Sequence, residues 1–316
     1  MSFQFDWLSR LLQTITVTGQ LEAHCTYGAP WRVDWGQSAA HEIPYHVVLK
    51  GRAILEDPES GAKRELVGGD IVLLPHGSAH VLHDGSGKAP GPTRDHTSPA
   101  GWIVSGNDGT GEQLDMLCGR FLIAPPHDRL IRDWLPATLM IRAVDGAHAP
   151  SASSHLASLV AMMRLESAND KPGGNAILNA LTSALFTLAL RAASESGQAS
   201  TGLSALAAHR RLAPAIAAMF TDPARAWNLP DLAKLCSMSR ATFMRHFQDK
   251  LGRSAIELLT DIRMSIATNE LKKPGMTTEA VADLVGYRSV AAFRRAFTDK
   301  MGLTPGQCRR LAQAGG

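Results

Sequence analysis

Two segments of this 316-residue chain repeat at an offset of fifty residues. SRATFMRHFQDKLG begins at Ser239, SVAAFRRAFTDKMG begins at Ser289, and eight of the fourteen positions are identical. A repeat at one fixed offset means one supersecondary unit used twice, which restricts the fold more than any compositional figure does. Each copy has the same local grammar. A short helical segment leads in, LPDLAKLC in one copy and TTEAVADLVG in the other, and a tight turn follows at Cys236–Met238 and at Gly286–Arg288. Ser239 or Ser289 then stands at the N-cap of a second helix, where a hydroxyl accepts from a free backbone N–H. Phe243 and Phe247, or Phe293 and Phe297, fall at i and i+4 and bury one face. Gly252 or Gly302 closes the helix as a left-handed cap. Two helices joined by so short a turn form a helix-turn-helix.

Helical geometry names the face left outside. Opposite the Phe pair lie Ala241, Arg245 and Gln248 in the first copy, flanked by Met244, and Ala291, Arg295 and Thr298 in the second, flanked by Arg294. Arg240 and Val290 sit near the helix N-termini. Arginine takes guanine O6 and N7 bidentately, and small alanines allow close approach to a thymine methyl. The cap serines Ser239 and Ser289 and the helix N-termini suit phosphate. From Ala207 to the end there are 17 Lys+Arg against 9 Asp+Glu, whereas the preceding 206 residues carry 15 against 20. A basic C-terminal third on a mildly acidic body points to a polyanion, here double-stranded DNA.

The second copy ends GYRSVAAFRRAFTDKMGLTPGQCR, and with it the region from about His209 to Leu311 resembles the DNA-binding domain of AraC-type bacterial transcription regulators. The resemblance implies two helix-turn-helix units joined by a long helix, roughly Ala255 to Leu271, reading successive major grooves. One chain then touches two grooves about 34 Å apart. RNA polymerase is a further partner if the protein activates.

The first half reads differently. From about Leu21 to Arg142, short β-like runs (HVVLKG, RAILED, DIVLLP, GWIVSG, LDMLCGRFLI) alternate with Gly and Pro. Asp84 to Gly101 is polar and Gly/Pro-rich, which predicts a long surface loop. GGDIVLLPHGSAHVLH, Gly68 to His83, reads as a β-hairpin and fits the second cupin motif at Pro75, Gly77 and His80. HEIPYHVVLKG stands where the first cupin motif ends, with His46 inward and His41 a second candidate. That motif ordinarily carries His-x-His followed by Glu, and no well-placed carboxylate is found here. Three readings of these histidines stay open: rim residues with ordinary hydrogen bonds, ligands of zinc or another divalent metal, or a working oxygenase or isomerase site. A barrel placed ahead of such a DNA-binding domain implies a sensor, no required cofactor and no enzyme. The contrary class is a metal-dependent cupin enzyme with a DNA-binding tail.

Four cysteines, Cys25, Cys118, Cys236 and Cys308, form no CxxC, which argues against a zinc ribbon. DWLSRLL, LEAHC, LLPHGSAHVL and MLCGRFL resemble a subgroup of cupin-type AraC regulators that includes a reactive-chlorine sensor. In that sensor two cysteines at the places of Cys25 and Cys118 are the redox switch. Hypochlorous acid converts a thiolate to a sulfenyl species that a second thiol resolves to a disulfide. His24, beside Cys25, is placed in sequence to lower its pKa. The other reading of both cysteines is that of small core hydrophobes. Cys236 and Cys308 read as structural, and a small-molecule- or metal-responsive regulator is the alternative to a redox sensor.

Between these regions, SHLASLVAMMRLE and NAILNALTSALFTLALRAA flank a KPGG break and read as a helical hairpin. Its apolar surface exceeds what one barrel covers, so it predicts a homodimer. The expected class is α+β with two domains: a cupin sensor barrel over 1–145, the hairpin over 146–198, a linker over 199–206 and the all-α DNA-binding domain over 207–316. No apolar run reaches the ~18 residues of a membrane span. The N-terminus reads as a short amphipathic helix with Phe5, Leu8, Leu11 and Leu12 on one face, not as a secretory signal, and a cytoplasmic protein follows.

Overall fold

The computed structural model describes residues 6–124, 127–142, 151–169, 171–195 and 211–314, together with Gly202, Leu203, Ala205 and His209. The chain forms two compact units. One comprises Val17–Ile123 and Pro136–Ala199; the other comprises Met1–Thr16, Ala124–Leu135 and Ser200–Gly316.

In the first unit, the described residues form two sheets. Strands β1 (Val17–Gly28), β3 (Glu42–Lys50), β6 (Ile71–Leu73), β8 (Thr93–Thr97), β9 (Ile103–Asn107), β10 (Gln113–Ile123) and β11 (Leu139–Ile141) make a seven-stranded sheet in the order β11-β6-β3-β10-β1-β9-β8. Strands β2 (Arg32–Trp35), β4 (Arg52–Glu56), β5 (Lys63–Val67) and β7 (His80–His83) make a four-stranded sheet in the order β2-β7-β4-β5. Alternation along β1, β3 and β10 sends Cys25, Tyr27, Val48, Met116 and Cys118 into one buried core with Leu55 and Leu82 of the smaller sheet.

Two expectations change. Gly68–His83 is not a hairpin: β6 and β7 belong to different sheets, and the turn at Pro75–Gly77 carries the chain across. Gly77 has φ +64°, a conformation glycine adopts without strain. The segment Asp84–Gly101 is not all loop, because Thr93–Thr97 pairs antiparallel with β9. All five of its residues are exposed, so the strand rests on backbone pairing and leaves no apolar alternation to read.

Helices α3 (Ser151–Ser167) and α4 (Gly174–Glu195) form the expected hairpin, with α4 lying on β1. The fit is close: a Cβ at Gly19 would come within 2.5 Å of the Ser183 nitrogen. Ser183 Oγ accepts from the Gly19 N–H at 2.9 Å, and Asn179 Oδ1 accepts from the Leu21 N–H at 3.3 Å, beside a bulge between Leu21 and Ala23. α4 has the length and apolarity of a membrane span, yet Leu178, Leu185 and Phe186 are fully buried, as in the core helix of a folded unit.

The second unit is helical: α1 (Trp7–Thr14), α2 (Asp128–Trp134), α5 (Ala213–Thr221), α6 (Leu229–Leu235), α7 (Arg240–Leu251), α8 (Ala255–Leu271), α9 (Thr278–Leu284), α10 (Val290–Met301) and α11 (Pro305–Ala314). The pairs α6–α7 and α9–α10 are the two repeats, and α8 is the long helix expected between them. Ser239 and Ser289 cap α7 and α10, accepting from Thr242 N at 3.2 Å and Ala292 N at 3.3 Å. Gly252 (φ +73°) and Gly302 (φ +70°) close them in the left-handed region. Phe243, Phe247, Phe293 and Phe297 are completely buried.

The division differs from the boundaries drawn on sequence. Residues 1–16 and 124–135 belong with the helical unit rather than with the barrel. α1 packs on α5 and α8 with Leu8 and Leu11 buried, and α2 buries Ile131 and Trp134. His127 explains the attachment of α2. Asn269 Oδ1 only accepts, so the His127 Nε2–H donates to it at 3.2 Å, and the bare Nδ1 accepts from the Ser265 hydroxyl at 2.8 Å. Asn269 in turn donates to the Thr14 carbonyl of α1 at 2.7 Å. Phe5 and most of the 199–206 linker lie outside the described residues.

Candidate nucleic-acid interface and thiol site

Burial of the Phe pair dictates what α7 and α10 present. Ser239, Arg240, Ala241, Met244, Arg245 and Gln248 are exposed, as are Ser289, Ala291, Arg294, Arg295 and Thr298, and Val290 is half-buried. Arg240, Arg245 and Arg295 make no ion pair among the described residues, so their guanidinium groups remain available to phosphate or a base edge. Two members of the expected face are engaged. Arg294 pairs with Glu279 at 3.2 Å, and Gln248 Nε2 donates to the Gly252 carbonyl at 2.9 Å.

In the barrel the distant cysteines meet. Cys25 lies opposite Met116 and Cys118 opposite Ala23, which makes the cysteines diagonal neighbours on one face of the β1–β10 ladder. Their sulfurs are 3.9 Å apart and buried. Cys118 also lies opposite His46 on β3, and its Sγ is 3.1 Å from His46 Nδ1. His46 Nε2 is 2.7 Å from His80 Nε2, and His80 Nδ1 is 2.9 Å from the Ser78 carbonyl.

This chain of contacts fixes its own protons. A carbonyl only accepts, so His80 carries its proton on Nδ1 and leaves Nε2 bare. His46 must then donate from Nε2, and its bare Nδ1 accepts the Cys118 S–H. Burial, joined by His80, holds His46 well below the ordinary imidazole range, and burial lowers His80 as well, so both rings are neutral. The neighbouring Cys25 and burial hold the Cys118 thiol up, while contact with Cys118 draws Cys25 down. Cys25 is the readier thiolate; Cys118 has a base for its proton.

The geometry corrects three sequence expectations. His24 does not face Cys25: alternation turns it to the opposite face, where Nε2 meets Asp115 Oδ1 at 2.7 Å. His41 is exposed and holds only backbone contact near the site, its carbonyl accepting from the Ile123 N–H at 2.9 Å. His46 and His80 are interior rather than rim residues, each 2% exposed. Two imidazole ligands of one tetrahedral ion stand about 3.3 Å apart, whereas these nitrogens touch at 2.7 Å. Among the described residues no group of three or more His, Cys, Asp or Glu is placed to hold an ion.

Two residues were missed. Trp35 stacks on His80 with ring centroids 5.3 Å apart and planes within 4°, and it meets His46 edge-on at 4.9 Å. Tyr27, on the same face as Cys25, donates to Ser105 Oγ at 2.7 Å, and Ser105 donates to Asp95 at 2.6 Å. The period-two aromatics of WRVDW were the available signal for Trp35.

A β-sandwich sensor fold joined in one chain to two helix-turn-helix units with basic outward faces defines a DNA-binding transcription regulator. Residues 6–195 match the family described as Cupin, and residues 232–311 match the family described as Helix-turn-helix domain. The protein is 29% identical over 304 residues to the RCS-specific HTH-type transcriptional activator RclR of Escherichia coli, spanning 96% of this chain and 97% of that one. It is 30% identical over 309 residues to the HTH-type transcriptional regulator MtrA of Neisseria gonorrhoeae, spanning 96% and 98%. A putative AraC-like transcription regulator of Streptomyces lividans is 26% identical over 312 residues, spanning 96% and 98%. The chain belongs to the AraC-type transcription regulators with an N-terminal cupin domain, and it binds double-stranded DNA.

Proposed function

We propose that the protein is an oxidant-responsive regulator, acting in the cytoplasm, whose switch is the thiol pair Cys25–Cys118. The observation that carries this reading is the 3.9 Å separation of the two sulfurs beside a neutral imidazole. Hypochlorous acid transfers chlorine to the Cys25 thiolate and leaves hydroxide. The Cys118 sulfur then displaces chloride, its proton passing to His46 Nδ1. Two electrons have moved from the two sulfurs to chlorine, and one S–S bond has formed. The RCS-specific name of the E. coli relative supports this chemistry.

The bond requires sulfurs at about 2.05 Å, and diagonal ladder partners must shift to reach it. β1 and β10 are thereby drawn against each other. Thr16–Val17 joins α1 to β1, and Ile123–Ala124 leads from β10 toward α2. Both helices rest in the DNA-binding unit, so the chain offers a direct route from the thiols to the reading helices. The faces of α7 and α10 enter successive major grooves, with Arg245 and Arg295 reading bases and Ser239 and Ser289 at phosphate. The protein is a homodimer through α3 and α4, an assignment supported by Met162, Leu165 and Ile177, which are 56%, 68% and 45% exposed on this hairpin. It activates transcription with RNA polymerase as its partner.

A second reading has its own observation. A cavity of about 710 Å³ lies in the barrel unit, lined by Ile71, Ile141, Leu156, Val160 and Leu165, with Arg142 and Arg164 among its walls. Such a cavity suits a small apolar effector. One experiment separates the two. Reduced protein and protein treated with one equivalent of hypochlorite are compared by intact mass and by fluorescence anisotropy on DNA from the gene's own upstream region. A loss of two hydrogens with changed affinity is expected, and Cys25→Ser and Cys118→Ser abolish both. Disulfide formation without any change in DNA binding sinks the redox reading and favours the cavity.

A further inference from the structure

The two reading helices are tied at their C-terminal ends to one carboxylate. Asp261, in the middle of α8, is completely buried. Arg253 stands one residue beyond the Gly252 cap of α7, with its Nη1 2.9 Å from Asp261 Oδ2. Lys300 occupies the last turn of α10, with its Nζ 2.9 Å from Asp261 Oδ1. Both cations are 19% exposed, so solvent does little to loosen either contact. Asp133 of α2 meets the same Arg253 nitrogen at 2.9 Å.

Stability by itself does not ask for this arrangement, because well-packed apolar residues often replace a buried ion pair at no loss. The rest of the buried face of α8 is apolar or hydroxylic. Nor is the arrangement inherited from the repeat. Lys250 is the counterpart of Lys300, but only Lys300 reaches Asp261; the first unit uses Arg253, whose counterpart is Leu303. The two units therefore arrived at one carboxylate by different residues. An apolar contact tolerates sliding, whereas a carboxylate held from two sides at 2.9 Å fixes two separations together.

We propose that Asp261 is a positioning residue for DNA recognition: by holding Arg253 and Lys300 it sets the separation and phase of α7 and α10, and so the half-site spacing the protein accepts. The inference rests on the reading of α7 and α10 as the groove-entering helices. One inserted base pair moves a half-site by about 3.4 Å and turns it by about 34°, a shift that rigidly held helices reject and untied helices follow.

The test is selection of bound duplexes from a random library by the full-length protein, as wild type, Asp261→Asn and Lys300→Gln. Wild type should recover two sequence blocks at a single spacing and bind that spacing at least about tenfold better than one lengthened by a base pair. Both variants should recover mixed spacings, with the preference reduced to about threefold or less. Lys300→Gln alters a side chain that is not fully buried and leaves Asp261 paired with Arg253, so it reports even where Asp261→Asn does not fold. Variants that select the single wild-type spacing, whatever their affinity, overturn the proposal. A wild type that recovers only one block overturns the two-helix reading beneath it.

Discussion

The two helix-turn-helix units share a scaffold and differ in what they present. Cap serine, Phe pair and terminal glycine recur at the fifty-residue offset with matching geometry: Phe243 and Phe247 lie 5.1 Å apart, Phe293 and Phe297 5.6 Å. The outward faces keep Ala241 and Ala291 and the arginines Arg245 and Arg295 in common and diverge elsewhere. Arg240 faces Val290 across the repeat, Met244 faces Arg294, and Gln248 faces Thr298. Even the turns are solved differently, with Ser237 at φ +51° in one and Gly286 at φ +79° in the other. A Cβ at Gly286 would come within 2.1 Å of the Ala224 carbonyl oxygen, so only the second turn demands glycine. The lesson is that folding constrains the buried half of each helix and leaves the outward half free to differ between the two units.

The largest effect tests the shared half. Phe247→Ala and Phe297→Ala should each cost about 3–5 kcal/mol of stability in urea unfolding, and a loss under about 1 kcal/mol at either site breaks the equivalence of the two scaffolds. Next comes the helix the two units share. Burial, with Lys272 nearby, holds His127 down to about 4 against α8, whereas the unfolded ring titrates near 6.5. The unfolded chain therefore takes up the proton first. The contribution is complete above pH 6.5 and falls by about 3 kcal/mol as pH drops to 4. His127→Gln should flatten that part of the pH–stability curve; an unchanged curve removes His127 as its source.

The recognition half comes third. Arg245→Ala and Arg295→Ala should each relax base preference by about 1–3 kcal/mol, at different positions of the operator. Arg294→Ala, already paired with Glu279, should weaken all sequences alike by under about 1 kcal/mol. Competition binding against single-base operator variants tells them apart, and two arginines that relax the same position contradict the assignment of one half-site to each unit. Last are Ser239→Ala and Ser289→Ala, at about 1 kcal/mol each by thermal unfolding. A clear inequality between them marks the unit in which the cap carries more of the helix.

Much of the helical unit was legible because its signals are local. Cap, apolar period and closing glycine lie within one helix length, so the sequence states them side by side, and the ends of α8 fall where the family resemblance put them. The barrel was legible only in outline. Thr93–Thr97 escaped because an exposed edge strand held by backbone pairing has no apolar rhythm. His24 looked like the partner of Cys25 because it is adjacent in sequence, and adjacency in a strand means opposite faces. His46, twenty-one residues away from Cys25, reaches the thiol pair because β10 lies between β1 and β3 and sets it directly opposite Cys118.

Sequence alone determined the repeated unit, the buried Phe pairs, the outward arginines and the kinship, all of which follow from residues within a few turns of one another. Tertiary structure decided that α1 and α2 belong with the DNA-binding helices, that Cys25, Cys118, His46 and His80 form one hydrogen-bonded line, and that Asp261 holds both reading helices. Apart from Arg253–Asp261, eight positions apart, those contacts join residues tens to hundreds of positions apart. Strand register and helix docking choose such partners, and no periodicity along the chain records that choice.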